Sequence, residues 1–436
     1  MPQKFIDQTT IQPDGSPGDD AFTAFATCND NFQDAEGRLS ALEGGSSNIG
    51  QDVADLKSGL QQEKQLRADA DGALSQAIAA EVTARQNADD ALSDAAAALG
   101  ARFIGKNRLI NGSMRWWQRG TSFTSAGYSV DRWFFNAGGV NTPSLTRNPV
   151  TPGDVSTECI YFAKIAYGSV TDAANHYVVL EQRMENVTTL AGLQVAVSFI
   201  VFNGGAAGRQ IAVEFVQSFG TGGSTTIQGI GATKYSLVAG LNVIKHTTTI
   251  PSIAGKTLGA NNFLCLTLWA TGGSNFNARN ASLGAQAGDV HFTQVQVETG
   301  ASATEFEARP DGLELALCQR FYETSFIVGQ APAVGQSGVT VVASGVNTGT
   351  VRTTATRFAA TKRAAPAITL YPSNQANVQT VGRWALFNGS VWNSSATWSV
   401  LGVNPGGFIA DGAYGSGVAL YSSYLIDGNW VADAEI

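Results

Sequence analysis

The spacing of apolar side chains changes character near residue 102. Before that point it follows helical intervals: Phe22, Phe25, Asn29, Phe32, Glu36 and Leu39 step three and four apart. This is a short heptad stretch with one Asn in a core position, a residue type that can fix register and strand number. Ahead of it, Pro13, Gly15, Pro17 and Gly18 stand among Asp14, Asp19 and Asp20, which reads as an extended arm ending at a helix N-cap. The run Gly44, Gly45, Ser46 and Ser47 predicts a break in the helix.

Over 51–99 the stripe is longer. Val53, Leu60, Arg67 and Leu74 lie seven apart, and Ile78, Arg85, Leu92 and Leu99 lie seven apart after a four-residue offset, a stutter. An internal repeat underlies it: Glu63, Arg67, Ala70, Asp71, Ala73 and Leu74 recur eighteen residues later as Glu81, Arg85, Ala88, Asp89, Ala91 and Leu92. Eighteen residues make about five turns of 3.6, so the stripe runs nearly straight, and about fifty residues would span roughly 75 Å. The seam is mostly Ala with widely spaced Leu and carries Arg67 and Arg85. A single helix of this kind buries little and needs partner chains. The expectation is an arm and short helix over 1–48, then a homotrimeric coiled coil over 49–102.

From Phe103 onward the helical period disappears, and short β-rich runs separated by Gly, Asn and Asp replace it. Segments 161–167, 176–181, 193–202, 210–219, 242–250, 263–270 and 290–298 read as strands of an antiparallel sandwich or jelly roll. The apolar 264–269 reads as a central strand, and 294–298 alternates as if one face were wet. Asp311 followed by Glu314 has capping-box spacing, so 311–323 is expected to be a linker helix after a β-sandwich over 103–310. A second β-sandwich over 324–436 forms the tip. Its hairpin signals are Asn388-Gly389, Asp411-Gly412 and Asp427-Gly428. The fold class is therefore mainly β with an N-terminal coiled coil.

Composition sharpens this division. The net charge is -8, but residues 1–102 hold seventeen acidic and seven basic side chains, so the acidic excess sits wholly in the rod. All eight Trp lie beyond residue 115, and 40 of the 49 Gly lie beyond 102. No run of 18 apolar residues exists, and the start lacks a signal-peptide layout, so membrane insertion and classical secretion are not expected. The chain is expected to be made in the cytoplasm. Cys28, Cys159, Cys265 and Cys318 have neither CxxC nor Cys/His spacing, which argues against disulfides and a metal site. No basic cluster interleaved with aromatics supports nucleic-acid binding.

Catalytic signatures are missing as well. Three histidines (His176, His246, His291) stand apart from any nucleophile motif, and no phosphate- or dinucleotide-binding pattern calls for a cofactor. A glycosidase needs only two carboxylates, yet Asp131, Glu158, Glu181, Glu185 and Glu214 show no spacing that singles out a pair. No enzyme activity is expected. Surface recognition remains, and sugars are held by aromatic faces against ring CH groups together with polar side chains. The last module offers Trp384, Trp392, Asn393, Trp398, Tyr414, Tyr421, Tyr424 and Trp430 as glycan-binding candidates.

One resemblance extends this reading. Asn111-Gly112, Trp117-Gln118-Arg119-Gly120-Thr121, Gly127-Tyr128 and Asp131-Arg132-Trp133 resemble the NG…WQRGT…GY..DRW signature of β-sandwich modules in bacteriophage tail-fibre proteins. Gln294, Gln296 and Glu298, then Glu305-Phe306-Glu307 with Arg309-Pro310, then the stretch from Glu314 through Cys318-Gln319-Arg320-Phe321-Tyr322 resemble the segment closing that module. Arg363-Ala364-Ala365-Pro366 and Ala432-Asp433-Ala434-Glu435 are similar to elements of the terminal tip domain. The signature itself reads as a structural staple, with Trp117 and Trp133 buried and Asp131 pairing Arg132 or Arg119.

The resemblance implies a homotrimeric fibre located on the virion. It implies attachment to tail or baseplate proteins at the N-terminus, with Phe5, Phe22, Phe25 and Phe32 as docking candidates. At the C-terminus it implies recognition of a host surface glycan, lipopolysaccharide or capsule. A tailspike-type depolymerase and a capsid fibre are the alternatives.

Overall fold

The computed structural model describes residues 7, 9–11, 13, 15–18, 20–101, 105–151, 153, 155, 159–415 and 417–436, the side chains of 46–47 and 94–101 excepted. Phe5 and Glu158 lie outside the described residues. Two compact units result, Met1–Ala95 and Ala96–Ile436, and the second holds both β-modules.

The first unit is built on α1 (Ala21–Ala101). Asp20 caps its start, Oδ1 accepting the Thr23 N–H at 2.7 Å. The helix runs through 44–47 without the predicted break. Gly in a helix interior costs only about 1 kcal/mol relative to Ala and, unlike Pro, keeps its N–H, so flanking helix formers carry the chain across. Within each repeat the Glu63–Arg67 and Glu81–Arg85 pairs close at 2.7 Å. Phe22, Phe25, Phe32, Leu42, Leu56, Leu60, Leu74, Ile78 and Leu92 are 55–91% exposed, so the described residues of the first unit do not cover its apolar stripe.

The second unit begins with β1 (Ser122–Phe123), β2 (Gly127–Tyr128), β3 (Trp133–Gly138), β4 (Ser144–Pro149), β5 (Tyr161–Ala166) and β6 (Tyr177–Glu185). It continues with β7 (Gln194–Asn203), β8 (Gln210–Ser218), β9 (Ile227–Ser236), β10 (Gly240–Thr249) and β11 (Phe263–Gly272). The short α2 (Asn277–Asn280) and then β12 (Val290–Thr299) complete this module. Among the described residues they form two six-stranded antiparallel sheets, ordered β1-β4-β5-β12-β7-β10 and β2-β3-β6-β11-β8-β9. Their facing sides enclose one core that includes Trp117, Trp133, Phe135, Phe199, Phe215 and Phe292. β11 is central, paired on both sides by β6 and β8, as its apolar run predicts.

β12 departs from expectation, because its alternating polar residues are not wet. Gln296 is fully buried and Glu298 is 4% exposed. Gln296 donates to Glu298 Oε1 at 2.9 Å and accepts the Glu307 N–H at 2.8 Å, while Glu298 accepts from the Thr304 N–H at 2.7 Å. The 304–307 segment thus lies over this face and satisfies it.

The expected linker helix is α3 (Asp311–Gln319), but without the capping box. Pro310 takes the N-cap position, Asp311 pairs with Arg115 at 2.5 Å, and Glu314 accepts the Asn111 N–H.

The last module contains β13 (Tyr322–Thr324), β14 (Val339–Asn347), β15 (Thr350–Thr353), β16 (Thr356–Arg357) and β17 (Ala367–Pro372). β18 (Ala385–Phe387), β19 (Trp392–Asn393), β20 (Thr397–Asn404), β21 (Gly407–Ala413) and β22 (Ser423–Asp433) follow. In place of two separate sheets they form one branched ten-stranded sheet. Its hub is β22, whose first half pairs with β14 and β18 and whose second half pairs with β13 and β17. The core gathers Leu370, Trp384, Leu386, Trp398, Phe408 and Ile426.

The hairpin predictions need correction. Phe387 pairs with Trp392, so the Asn388-Gly389 connection is a four-residue loop rather than a two-residue turn. Asn388 Oδ1 holds it by accepting the Ser390 and Val391 N–H groups at 3.0 Å each. Asp411-Gly412 and Asp427-Gly428 are not turns at all and lie inside β21 and β22.

Candidate functional site

The eight residues expected at a glycan surface separate into two groups. Trp384 is 2% exposed and Trp398 is 7% exposed, so both belong to the core. Their indole N–H groups donate to the carbonyls of Asn429 at 2.7 Å and Trp384 at 3.0 Å, and their rings meet edge-on at 5.6 Å. The two misread glycines seat these rings. A Cβ at Gly428 would collide with the Trp384 ring, and one at Gly412 would come within 2.8 Å of the Trp398 ring.

Tyr414, Tyr424 and Trp430 also pack on that core. The Tyr414 hydroxyl donates to the carbonyls of Trp384 and Asn393, and burial raises its ionisation above the ordinary tyrosine value. The Tyr424 hydroxyl accepts the Ala419 N–H at 2.7 Å, and Trp430 sits 5.7 Å from both Phe358 and Phe408. Asn393 Oδ1 is occupied locally by Ser395, accepting its N–H at 2.9 Å. Tyr421 is 88% exposed in a turn, held at φ +62. Trp392 is half-buried.

Strand register shows what accompanies Trp392. Val342 pairs with Leu425, Leu425 with Phe387, and Phe387 with Trp392, which puts the four side chains in one row across four strands. The Phe387 and Trp392 rings lie 5.2 Å apart, and Val342 and Leu425 are 51% and 43% exposed. Two residues along, Ser423, Ser344, Arg352, Asp411 and Ser399 form a second row through successive pairings. Arg352 grips Asp411 with two bonds of 2.8 and 2.7 Å. At about 3.4 Å per residue the rows are about 7 Å apart on the same outward face. An exposed apolar row beside fixed polar groups has the chemistry of a saccharide platform: ring CH groups rest on one row and hydroxyls bond to the other. Phe387, Leu425, Val342, Ser344, Arg352, Asp411 and Ser399 were absent from the sequence-derived set, because only register brings them together.

The signature motifs converge elsewhere, at a junction between the two β-modules. Trp117 and Trp133 are fully buried, their N–H groups donating to the carbonyls of Met114 and Asn111. Asp131 accepts from the Gln118 N–H and side chain, and Arg119 is its ion partner at 3.6 Å. Arg132, the other expected partner, pairs instead with Glu435. Glu435 also pairs with Arg119 at 3.0 Å, and Arg363 donates to the carbonyls of Ala434 and Glu435. The guanidinium of Arg119 stacks 3.6 Å from the Tyr322 ring, and that of Arg132 lies 3.5 Å from the Phe321 ring. The residues that carry the resemblance therefore bind the modules to each other.

The remaining carboxylates acquire a relation that spacing hid. Glu181 and Glu214 both face Thr267 in one row of the sheet, on neighbouring strands either side of β11. Glu214 is fully buried and accepts from Arg279 at 2.6 and 3.0 Å, Trp269 at 3.2 Å and the Gly229 N–H at 2.8 Å. Burial raises the pKa of both groups, against the pull of Arg183 and Arg279 at Glu181 and of Arg279 at Glu214. Glu214 thereby anchors α2 to β9 and β11. Glu185 pairs with Arg320 at 2.8 Å. No cluster able to hold a metal ion occurs among the described residues.

Comparison with known proteins adds fold likenesses at low similarity. No family model and no curated protein matches the chain. It is similar to the enzymatically active domain of tailspike protein 4 of bacteriophage CBA120, with 11% identity, 45% of this chain and 22% of that chain covered, and a TM-score of 0.28. A CBM4 chain shares 18% identity over 44% of this chain and 98% of its own, at a TM-score of 0.28. A family 11 carbohydrate-binding module of Clostridium thermocellum, in complex with a β-1,3-1,4-mixed-linked tetrasaccharide, shares 11% identity over 42% of this chain and 97% of its own, at 0.24. This chain thus spans about a fifth of the tailspike domain, and at such scores no ligand, activity or partner transfers from these proteins.

The outward face of the last sheet carries the Phe387–Trp392 pair in one row with Leu425 and Val342. Its aromatic signal was present in the sequence as Phe387 and Trp392 flanking Asn388-Gly389, but the loop length that aligns them was not.

Proposed function

We propose that the chain is a subunit of a virion fibre, a tail fibre made in the host cytoplasm, which attaches to a host cell by binding surface polysaccharide of lipopolysaccharide or capsule. The observation that carries the proposal is the pair of rows on the outward face of the last sheet, which run side by side on β14 and β22, the first ending in the Phe387 and Trp392 rings on one side and the second in the Arg352–Asp411 pair on the other. The uncovered apolar stripe of α1 supports a homotrimeric stalk, since exposed Leu at heptad spacing gains only by pairing with copies of itself. Exposed Phe22, Phe25 and Phe32 supply the contact to virion tail or baseplate proteins. Trimerisation matches the weakness of single sugar sites, because linked sites raise avidity by about 10² to 10⁴. No helix among the described residues is long and apolar enough to cross a membrane.

A glycan array probed with the full chain and its Trp392→Ala variant tests the recognition surface. Binding that survives the substitution unchanged would remove this face from the proposal. Deletion of 1–45 should prevent incorporation into particles while the free fibre still binds cells. Assembly of the truncated chain into virions would refute the docking assignment.

The depolymerase alternative draws on Glu181 and Glu214 sharing a row. The four hydrogen bonds that hold Glu214 favour an anchoring role, and we propose binding without cleavage. Release of reducing ends from host polysaccharide would reverse that. Imaging of labelled particles separates tail from capsid attachment.

A further inference from the structure

A cavity of about 220 Å³ opens between α3 and β6, away from the outward face of the last sheet. It is smaller than the roughly 300–1,000 Å³ of pockets for drug-sized ligands, so its occupant is one charged group or a single sugar ring. Arg108, Arg132, Arg183 and Arg320 line it against one carboxylate, Glu185.

The internal ion pairs do not balance these guanidiniums. Glu185 is engaged by Arg320, whose Nη2 donates to both oxygens at 2.8 and 3.1 Å. Glu435 engages Arg132. Arg108 makes no side-chain hydrogen bond or ion pair among the described residues. Arg132 Nη2 donates to the Arg183 carbonyl and Arg183 Nη1 to the Ile436 carbonyl at 2.7 Å, but the Nε–H groups of both are buried without an acceptor, and Arg132 is only 1% exposed. Unmatched donors on fixed guanidinium planes fit the oxygens of a carboxylate or phosphate, whose charge offsets an excess that neutral water leaves standing. Leu317 gives the cavity an apolar side, while the Phe321 ring is covered by the Arg132 guanidinium at 3.5 Å.

We propose that this cavity is an oxyanion site that takes the carboxylate or phosphate of a charged sugar, so that the polysaccharide recognised is acidic. Only the last clause rests on the polysaccharide reading above; the anion site stands apart from it.

The test is titration of the full chain, followed by NMR or calorimetry, with glucuronate, inorganic phosphate and glucose as separate probes. At least one anion should bind while glucose does not. Glucuronate alone assigns a sugar acid and phosphate alone a phosphoryl group. Arg108→Ala, at an exposed side chain, should weaken the anion about tenfold with an unchanged melting curve. Glu185→Gln should strengthen it, by removing the one carboxylate in the lining. Trp392→Ala should leave anion binding untouched, so failure of the sheet face and failure of this cavity give different results. No saturable anion binding, equal affinity for glucose, or affinity indifferent to both Arg108→Ala and Glu185→Gln would overturn the proposal.

Discussion

At the scale of single residues, the same side-chain type serves opposite ends. Trp384 fills the core, where its removal should cost about 3–5 kcal/mol, the usual range for large-to-small core changes. Trp392 is half-buried against Phe387, and Trp392→Ala should cost about 1–2 kcal/mol, less than the core change, while weakening glycan binding. Chemical denaturation of the two variants checks the contrast. Gly428→Ala should destabilise by about 1–3 kcal/mol through overpacking against Trp384, although Ala suits a strand better than Gly in most settings. A Gly428→Ala protein as stable as the parent would show that the indole can move aside.

Histidine adds a pH dependence at the same scale. Burial lowers the pKa of His246, whose Nδ1 bonds the Tyr235 hydroxyl at 2.9 Å and whose Nε2 has no partner. Burial also lowers His291, against the opposing pull of Asp289. A base depressed in the folded state binds its proton first in the unfolded chain, so stability falls as pH drops below the ordinary 6.5. The raised carboxylates Glu181 and Glu214 act in the opposite sense over the same range, so the histidine effect is read by difference: from pH 7 to 5 the denaturant midpoint of the parent should lose more, or gain less, than that of His246→Phe. An identical slope in the variant would take His246 out of this account.

At the scale of elements, periodicity was read correctly and its interruptions were not. The helical stripe of α1 was visible from 22 onward, but Gly44 and Gly45 looked like a stop because a sequence shows permissiveness without showing which conformation prevails. The proposed trimer makes Leu74 a seam residue. A 1–95 fragment should sediment as a trimer, and Leu74→Asp should return it to monomer. A monomeric parent fragment at all concentrations would dispose of the stalk.

The strands tell a similar story. Seven β-runs were found from composition alone, whereas β12 looked half-wet because Gln294, Gln296 and Glu298 alternate with Val. Its polar face is covered by a segment that no local pattern announces. Gln296→Ala would leave the Glu307 N–H and the Glu298 carboxylate short of a partner, at about 1–3 kcal/mol. Thermal unfolding of the variant should show the loss, and an unshifted midpoint would mean that water replaces the amide.

At the scale of the molecule, the second unit depends on the contact between its modules. Arg119, Arg132 and Arg363 close around Glu435, with Arg132 and Glu435 almost wholly buried. Removing one partner of a buried pair leaves the other charge stranded, so Glu435→Ala should destabilise by about 3–5 kcal/mol. Calorimetry should show a lowered or divided transition. A single transition at the parental temperature would show that the junction contributes nothing.

By itself, the sequence determined where helix gives way to sheet, seven of the twelve strands of the first β-module, and that the signature tryptophans are structural. Those features depend on interactions within a few residues: a period of 3.6 or 2, a propensity, a charge run. The tertiary structure alone decided which tip aromatics face solvent, that two Asp-Gly pairs seat indoles rather than turn the chain, and that Val342, Leu425, Phe387 and Trp392 share a row. These outcomes depend on register between segments up to about eighty residues apart, and a one-residue shift in pairing would turn every side chain to the opposite face.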